Sequence, residues 1–284
     1  MTVIDFHTHT FPDKIARKAI ASLSGKSHSK PFTDGTVKGL KASMQRSGID
    51  RSVILPVATS PDQVEKINTS AALLNQKHKG TLFSLGCIHP DYEKVEQEMV
   101  RIKELGLRGI KIHPVYQNTD LDDPRFLRIF RQAKKLNLVV VTHTGLDIGY
   151  PGQVKCSPQM ARHVVEKVGI FRFVLAHMGG WRNWNIVPEI LAGTGVYLDT
   201  AFSTGEIVPL NDGYWNEEQL PMMGEEEMMN LIRIFGSDHI LFGTDSPWSS
   251  QSESLHFIQD LPLTKVEKEQ ILCQNARKLL QLEE

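Results

Sequence analysis

Cysteine is scarce in this chain of 284 residues: Cys87, Cys156 and Cys273 are odd in number and far apart, with no CxxC pair and no Cys/His cluster. That excludes a disulfide framework and a sulfur-based zinc site, leaving three free thiols. An excess of charge of one sign is also missing, since Lys+Arg number 32 against Asp+Glu 33 at a pI near 6.8. No face basic enough to follow nucleic acid or an anionic membrane is therefore expected. No window approaches the ~18 consecutive apolar residues of a membrane span. Met1-Thr2-Val3-Ile4-Asp5 likewise has no basic stretch leading into an apolar one. A cytoplasmic protein is the resulting expectation. Glycine-rich phosphate loops are absent too, because neither GxGxxG nor GxxxxGKS/T follows any apolar run.

What the chain does contain is an alternation. Eight short runs rich in β-branched residues, at 3–9, 52–58, 81–88, 107–113, 138–143, 172–177, 195–199 and 239–245, are separated by segments of helical period. Such alternation indicates βαβ units on a parallel sheet, and continuous runs such as Leu138-Val139-Val140-Val141 suit strands covered on both faces. Ser60-Pro61, Asp123-Pro124 and Ser157-Pro158 read as helix starts, with a capping side chain followed by a proline that has no N–H to lose. Thr264-Lys265-Val266-Glu267 reads as a capping box before a last helix. Eight such units in under 300 residues are what a (β/α)8 TIM barrel requires. The chain is therefore read as an α/β protein with one domain over 1–284. Two stretches that fit the repeat poorly, 24–35 and 201–223, are placed as loop insertions on the face at the carboxyl ends of the strands.

Eleven histidines give that barrel its chemistry. His7 and His9 are two apart at the end of the first run, so a period of two puts both on one side of the sheet where they can converge on a metal, and Asp5 shares that parity. Lys111 and His113 end the fourth run, His143 the fifth, His177 the sixth and Asp245 the eighth. All fall at carboxyl ends of strands, the catalytic face of a barrel. His28, His78, His89, His163, His239 and His256 lack such placement, although His89 after the third run can line a pocket.

Ile4-Asp5-Phe6-His7-Thr8-His9, Gly109-Ile110-Lys111-Ile112-His113-Pro114, Ala176-His177-Met178-Gly179-Gly180 and Gly243-Thr244-Asp245-Ser246-Pro247 together resemble the amidohydrolase superfamily. The likeness is closest to its amidohydrolase-related subgroup, sometimes called amidohydrolase 2, which includes aminocarboxymuconate semialdehyde decarboxylase-like enzymes. The resemblance implies that His7, His9, His143 and Asp245 hold one divalent ion, zinc before manganese or iron, with His177 as the catalytic histidine beside it. In another branch of the superfamily the lysine of the fourth strand is carboxylated and bridges two ions. Lys111 and His177 are then candidates for a second metal site, a reading set behind the mononuclear one.

Three imidazoles and a carboxylate suit such an ion, and zinc-bound water with its pKa lowered to about 7 is a nucleophile at neutral pH. The leading expectation is hydrolysis of a C–N or C–O bond in a small amide, lactone or ester. Asp245 then serves as ligand and proton acceptor, and His177 stabilises the oxyanion. The runner-up is non-oxidative decarboxylation of an aromatic or unsaturated carboxylate on the same ligands. His113, Tyr116, Gln117, Trp181, Arg182, Trp184 and Trp248 lie at or just past strand ends and are candidates to touch a small-molecule substrate, Arg182 by pairing with a carboxylate. Neither a nucleic acid nor a membrane is expected as partner, and a homo-oligomer is compatible with the sequence.

Overall fold

The structure is a computed structural model that describes residues 1–282, Glu217 by its backbone alone. Its strands are β1 (Ile4–Thr8), β2 (Arg51–Ile54), β3 (Leu82–Ser84), β4 (Gly86–Cys87), β5 (Gly109–Ile112), β6 (Val139–Thr142), β7 (Phe173–Leu175), β8 (Tyr197–Asp199) and β9 (Ile240–Leu241). All pair in parallel, β1 to β3 in one ladder and β4 to β9 in a second. β3 and β4 occupy one barrel position, split at Leu85, whose N–H donates to Ile54 O at 3.0 Å. First and last strands close the ring: Phe6 N–H donates to Phe242 O at 2.7 Å, and Thr8 bridges to Ser246. The result is the (β/α)8 barrel that the alternation led one to expect.

The split at Leu85 has a local cause. Two asparagines of the helix Val64–Lys77 use side-chain amides where a strand would use backbone, Asn75 with Ser84 and Asn68 with Cys87. Elsewhere the capping devices act as read. Asp123 accepts from Arg125 N–H, Ser157 accepts from Met160 N–H, and the Thr264/Glu267 box is formed. Ser60 differs, opening a short 3-10 turn without a side-chain cap.

Alternate strand residues divide between two apolar layers. Ile110, Ile112, Val140, Phe173, Leu175, Leu198 and Phe242 pack outward against the helices. Ile4, Phe6, Val53, Leu55, Leu85, Val139, Val141, Val174, Tyr197 and Leu241 form a second cluster, and residues of so many strands can meet only inside the barrel. Cys273, Ala276, Leu279 and Leu280 of the C-terminal helical segment join that inner cluster and plug the amino-terminal end. Gly109 marks a close approach of β5 to β6, since a Cβ there would lie 2.3 Å from Val139 O, a backbone atom that cannot swing away. Gly109→Ala is expected to cost about 1–3 kcal/mol, the range for overpacking, read as a lower urea midpoint at unchanged slope.

One expectation about parity fails. Between Asp5 and Thr8 the register of β1 against β2 shifts by a β-bulge. Ile4 and Phe6 point inward below the bulge, and His7 and His9 point inward above it. Asp5 consequently lies on the other side, accepting from Thr244 Oγ1 and Gln251 Nε2, both at 2.7 Å. Bulges re-aim side chains in this manner.

The two stretches read as insertions meet each other. Residues 24–27 complete the helix Asp13–Ser27, and the segment after it pairs antiparallel with the other insertion through Ser29 and Pro209. Lys30 N–H donates to Val208 O at 2.7 Å, Leu210 N–H to His28 O at 2.9 Å, and Phe32 N–H to Pro247 O at 2.7 Å. The last bond anchors the pair beside the strand ends that carry the histidines. No helix among the described residues is long and apolar enough to cross a membrane.

Candidate metal centre

His7 Nε2, His9 Nε2 and Asp245 Oδ1 converge at the carboxyl mouth of the barrel, with separations of 3.2 Å between the nitrogens and 3.2 and 3.0 Å from each to the oxygen. The remaining ring nitrogens decide what these atoms are. His7 Nδ1 donates to Asp199 Oδ2 at 2.8 Å, and His9 Nδ1 donates to Leu55 O at 2.8 Å. A neutral imidazole carries one N–H, so both Nε2 atoms are bare lone pairs facing a carboxylate oxygen. Three acceptors within about 3 Å repel one another unless a cation lies between them. Donors about 2.1 Å from a common centre stand roughly 3.0–3.4 Å apart, and the triplet fits a divalent ion on that measure. Burial, then the Lys111 charge, holds His7 well below the ordinary imidazole pKa and so unprotonated. Burial alone raises the Asp245 carboxyl, and positive charge among His7, His9 and His177 pulls it well below the usual range, the effect that an ion in their midst would also have.

His143 stands outside that triplet. Its Nε2 donates to Leu146 O at 3.1 Å, while His177 Nδ1 donates to Ala201 O at 2.8 Å. The two free atoms, His143 Nδ1 and His177 Nε2, face each other at 2.9 Å, an arrangement that calls for a shared proton or a cation. Lys111 Nζ lies 3.3 Å from His7 Nε2, and burial pushes this ammonium down to about 8 against the pull of Asp199 and Asp245.

A second group, His113, His143 and Asp147, is looser, with Asp147 Oδ2 3.4 Å from His113 Nε2 and 3.9 Å from His143 Nε2, and has a different character. His113 Nδ1 accepts Tyr116 N–H at 3.4 Å, so its Nε2 bears the proton and points it toward Asp147 Oδ2 3.4 Å away. Donors surround a carboxylate here, whereas the first group brings three acceptors together. Asp147, pushed up to about 6 by burial, takes a further N–H from Gly149.

The remaining sequence candidates spread out. Tyr116 stacks on His113 with centroids 3.7 Å apart, and His113 on His143 at 4.3 Å, making a wall of three planar rings. Trp181 is buried against Phe202 with its Nε1 unpartnered. Arg182 is exposed, lies over the Trp181 ring and donates to Gln219 O, so the structure ties it to the insertion and not to the donor triplet. Trp248 is half-buried against the outer core. Gln117 and Trp184 are structural pins: Gln117 bonds Ala58 O, Ile88 O and His113 N–H, and Trp184 Nε1 donates to His177 O. Entry is from the side of His9, whose side chain is 19% exposed while that of His7 is 1% exposed.

Asp199 and Asp147 were not singled out from sequence. Asp199 ends the seventh run as Asp245 ends the eighth, a signal that was available; Asp147 sits in a loop where no period applies. His177, Met178, Arg182, Phe202 and Asp245 all have positive φ, between 50° and 69°. Left-handed backbone at non-glycine residues costs about 1–3 kcal/mol each and gathers where a site dictates geometry.

Fold and donor triplet together define a (β/α)8 barrel with a candidate cation site at its carboxyl mouth. The chain belongs to the amidohydrolase family, whose model matches residues 4–282. Among solved structures it is similar to an uncharacterized TIM-barrel protein of Bordetella bronchiseptica, at 17% identity and TM-score 0.73 over 99% of both chains. It is also similar to 5-carboxyvanillate decarboxylase of Sphingomonas paucimobilis, at 15% identity and TM-score 0.68 over 99% of both chains. A third is a dihydroxybenzoic acid decarboxylase of Polaromonas sp. JS666 with bound manganese and the inhibitor 2-nitroresorcinol. It is 13% identical, with TM-score 0.67 over 99% of this chain and 97% of that one. No curated protein matches the sequence.

Proposed function

We propose that the protein is a metal-dependent non-oxidative decarboxylase of a hydroxylated aromatic carboxylate, using one divalent ion, zinc or manganese. The observation that carries the reading is the convergence of three bare acceptors, His7 Nε2, His9 Nε2 and Asp245 Oδ1, beside the ring wall of Tyr116, His113 and His143. Its support is that two similar barrels act on ring carboxylates and one of them holds manganese.

In this reading His7, His9 and Asp245 hold the ion, and His143 Nδ1 is offered as a fourth donor. When bound, the ion supplies a Lewis acid that anchors substrate oxygens and spreads their negative charge. Lys111 adds a buried positive charge beside His7 Nε2 that favours an anionic substrate. As the C–C bond breaks and CO2 leaves, the electron pair stays on the ring carbon, which then takes one proton. His177, with Nε2 turned inward by the bond from Nδ1 to Ala201 O, is placed to carry that proton. Burial lowers its pKa, so a proton held there is readily released.

This reverses the order of the two reactions favoured by the residues alone. The order turns on the similar barrels whose reaction is named, which are decarboxylases of ring carboxylates. The test is to load the purified chain with manganese or zinc and follow CO2 release from hydroxybenzoates. Release that stops on chelation and returns with metal is expected. Turnover of amides or lactones without CO2 release would restore hydrolysis as the better reading, and two metal equivalents with a carbamate on Lys111 would overturn the single-ion assignment.

A further inference from the structure

Asp199 sits behind the donor triplet and takes part in both halves of the site. Through Oδ2 it accepts His7 Nδ1–H at 2.8 Å. Through Oδ1 it accepts two backbone donors, His177 N–H at 3.0 Å and Ala201 N–H at 3.1 Å. Ala201 in turn offers its carbonyl to His177 Nδ1–H at 2.8 Å. The backbone of Asp199 adds a third tie, since Met178 N–H donates to Asp199 O at 2.7 Å. One fully buried carboxylate thus fixes the ring of His7 directly and the ring of His177 through the residue that receives its N–H.

We propose that Asp199 is the positioning residue of the centre, holding His7 and His177 in the tautomer whose Nε2 is bare and turned toward the reacting space. The proposal rests on the cation reading above only for its metal-affinity consequence. The argument is one of donors and acceptors. Three N–H groups converge on Asp199, and a carboxylate, which is acceptor-only, can satisfy all three. An amide cannot. In Asp199→Asn one corner becomes an NH2 donor. If the oxygen keeps the two backbone N–H groups, the NH2 meets His7 Nδ1 and turns it into an acceptor, which moves the ring proton to Nε2. A protonated Nε2 cannot be a metal ligand, and partners that orient ligating histidines typically matter about 10–100-fold in affinity.

Two measurements test this. In the metal-free wild type with 15N-labelled histidine, His7 is expected to show a protonated Nδ1 and a bare Nε2 at neutral pH. In Asp199→Asn, folded by circular dichroism, His7 is expected to show the opposite tautomer, with Mn2+ affinity by electron paramagnetic resonance reduced about 10–100-fold. A wild-type His7 that carries its proton on Nε2 overturns the proposal, as does a folded Asp199→Asn variant that keeps both tautomer and affinity. Should that variant not fold, the wild-type spectrum alone decides. Absence of Mn2+ and Zn2+ binding by the wild type would instead defeat the proposed function, leaving the tautomer result to stand separately.

Discussion

Asparagine in place of Asp245 is expected to leave the barrel folded while lowering turnover about 10³-fold or more and stripping the chain of its ion. The substitution suits the backbone, because Asp245 has φ +69° and asparagine tolerates that left-handed conformation about as well as aspartate. Backbone bonds are untouched: Asp245 N–H still donates to His7 O at 2.8 Å, and Asp245 O still accepts Trp248 N–H at 2.9 Å. The change falls on the triplet. The carboxylate faces the bare nitrogens of His7 and His9, and an amide turned the same way places an N–H between them. A group of three acceptors that needs a cation becomes a donor meeting two acceptors, satisfied without one. Metal analysis of the purified variant, its kcat against wild type and its thermal midpoint give three separate readouts. Full activity in Asp245→Asn would remove this carboxylate from the chemistry, and unchanged metal content would remove it from the centre.

The barrel was legible because its signal is repetitive. Eight apolar runs in alternation with helical segments leave few other architectures, and a strand as fragmented as β3 and β4 still shows as one run, since its residues are buried however its backbone bonds are made. Period-two parity found Lys111 with His113, and His7 with His9. It misplaced Asp5, because a bulge inserts one residue and nothing in Asp5-Phe6-His7-Thr8 announces it. The convergence of His7, His9 and Asp245 could be expected from strand ends alone. The position of His143 beside His113 and Asp147 could not, because it depends on how the loop after β6 folds back to present Leu146 O and Asp147. Loop candidates fared unevenly for the same reason. Tyr116 joins the ring wall, while Arg182 is drawn away by a carbonyl in the distant insertion, a contact that no local pattern encodes.

Lys111→Met is expected to make the metal-free protein more stable and the enzyme inactive. Lys111 is fully buried, and among the described residues no carboxylate lies within ion-pair distance of its ammonium; it bonds His7 Nε2 at 3.3 Å, with Asp199 and Asp245 farther off. Burial lowers its pKa from 10.5 to about 8 despite Asp199 and Asp245. The sign follows from proton counting. Between about pH 8 and 10.5 the unfolded chain holds a proton on this amine that the folded chain has lost, so stability rises with pH across that window. Below pH 8 both states are charged and the penalty is present in full. At 1.36 kcal/mol per pH unit it amounts to about 3 kcal/mol, which methionine, of similar length and without charge, does not incur. Urea unfolding of metal-free wild type and Lys111→Met at pH 7 and at pH 10.5 isolates the effect: the variant leads by about 3 kcal/mol at the lower pH, and the gap narrows at the higher one. A variant less stable than wild type at both values would mean that Lys111 is a structural pin. A gain in stability with loss of turnover would mean that the fold tolerates a buried charge because the substrate needs it, as expected where a site for an anion is built inside a barrel.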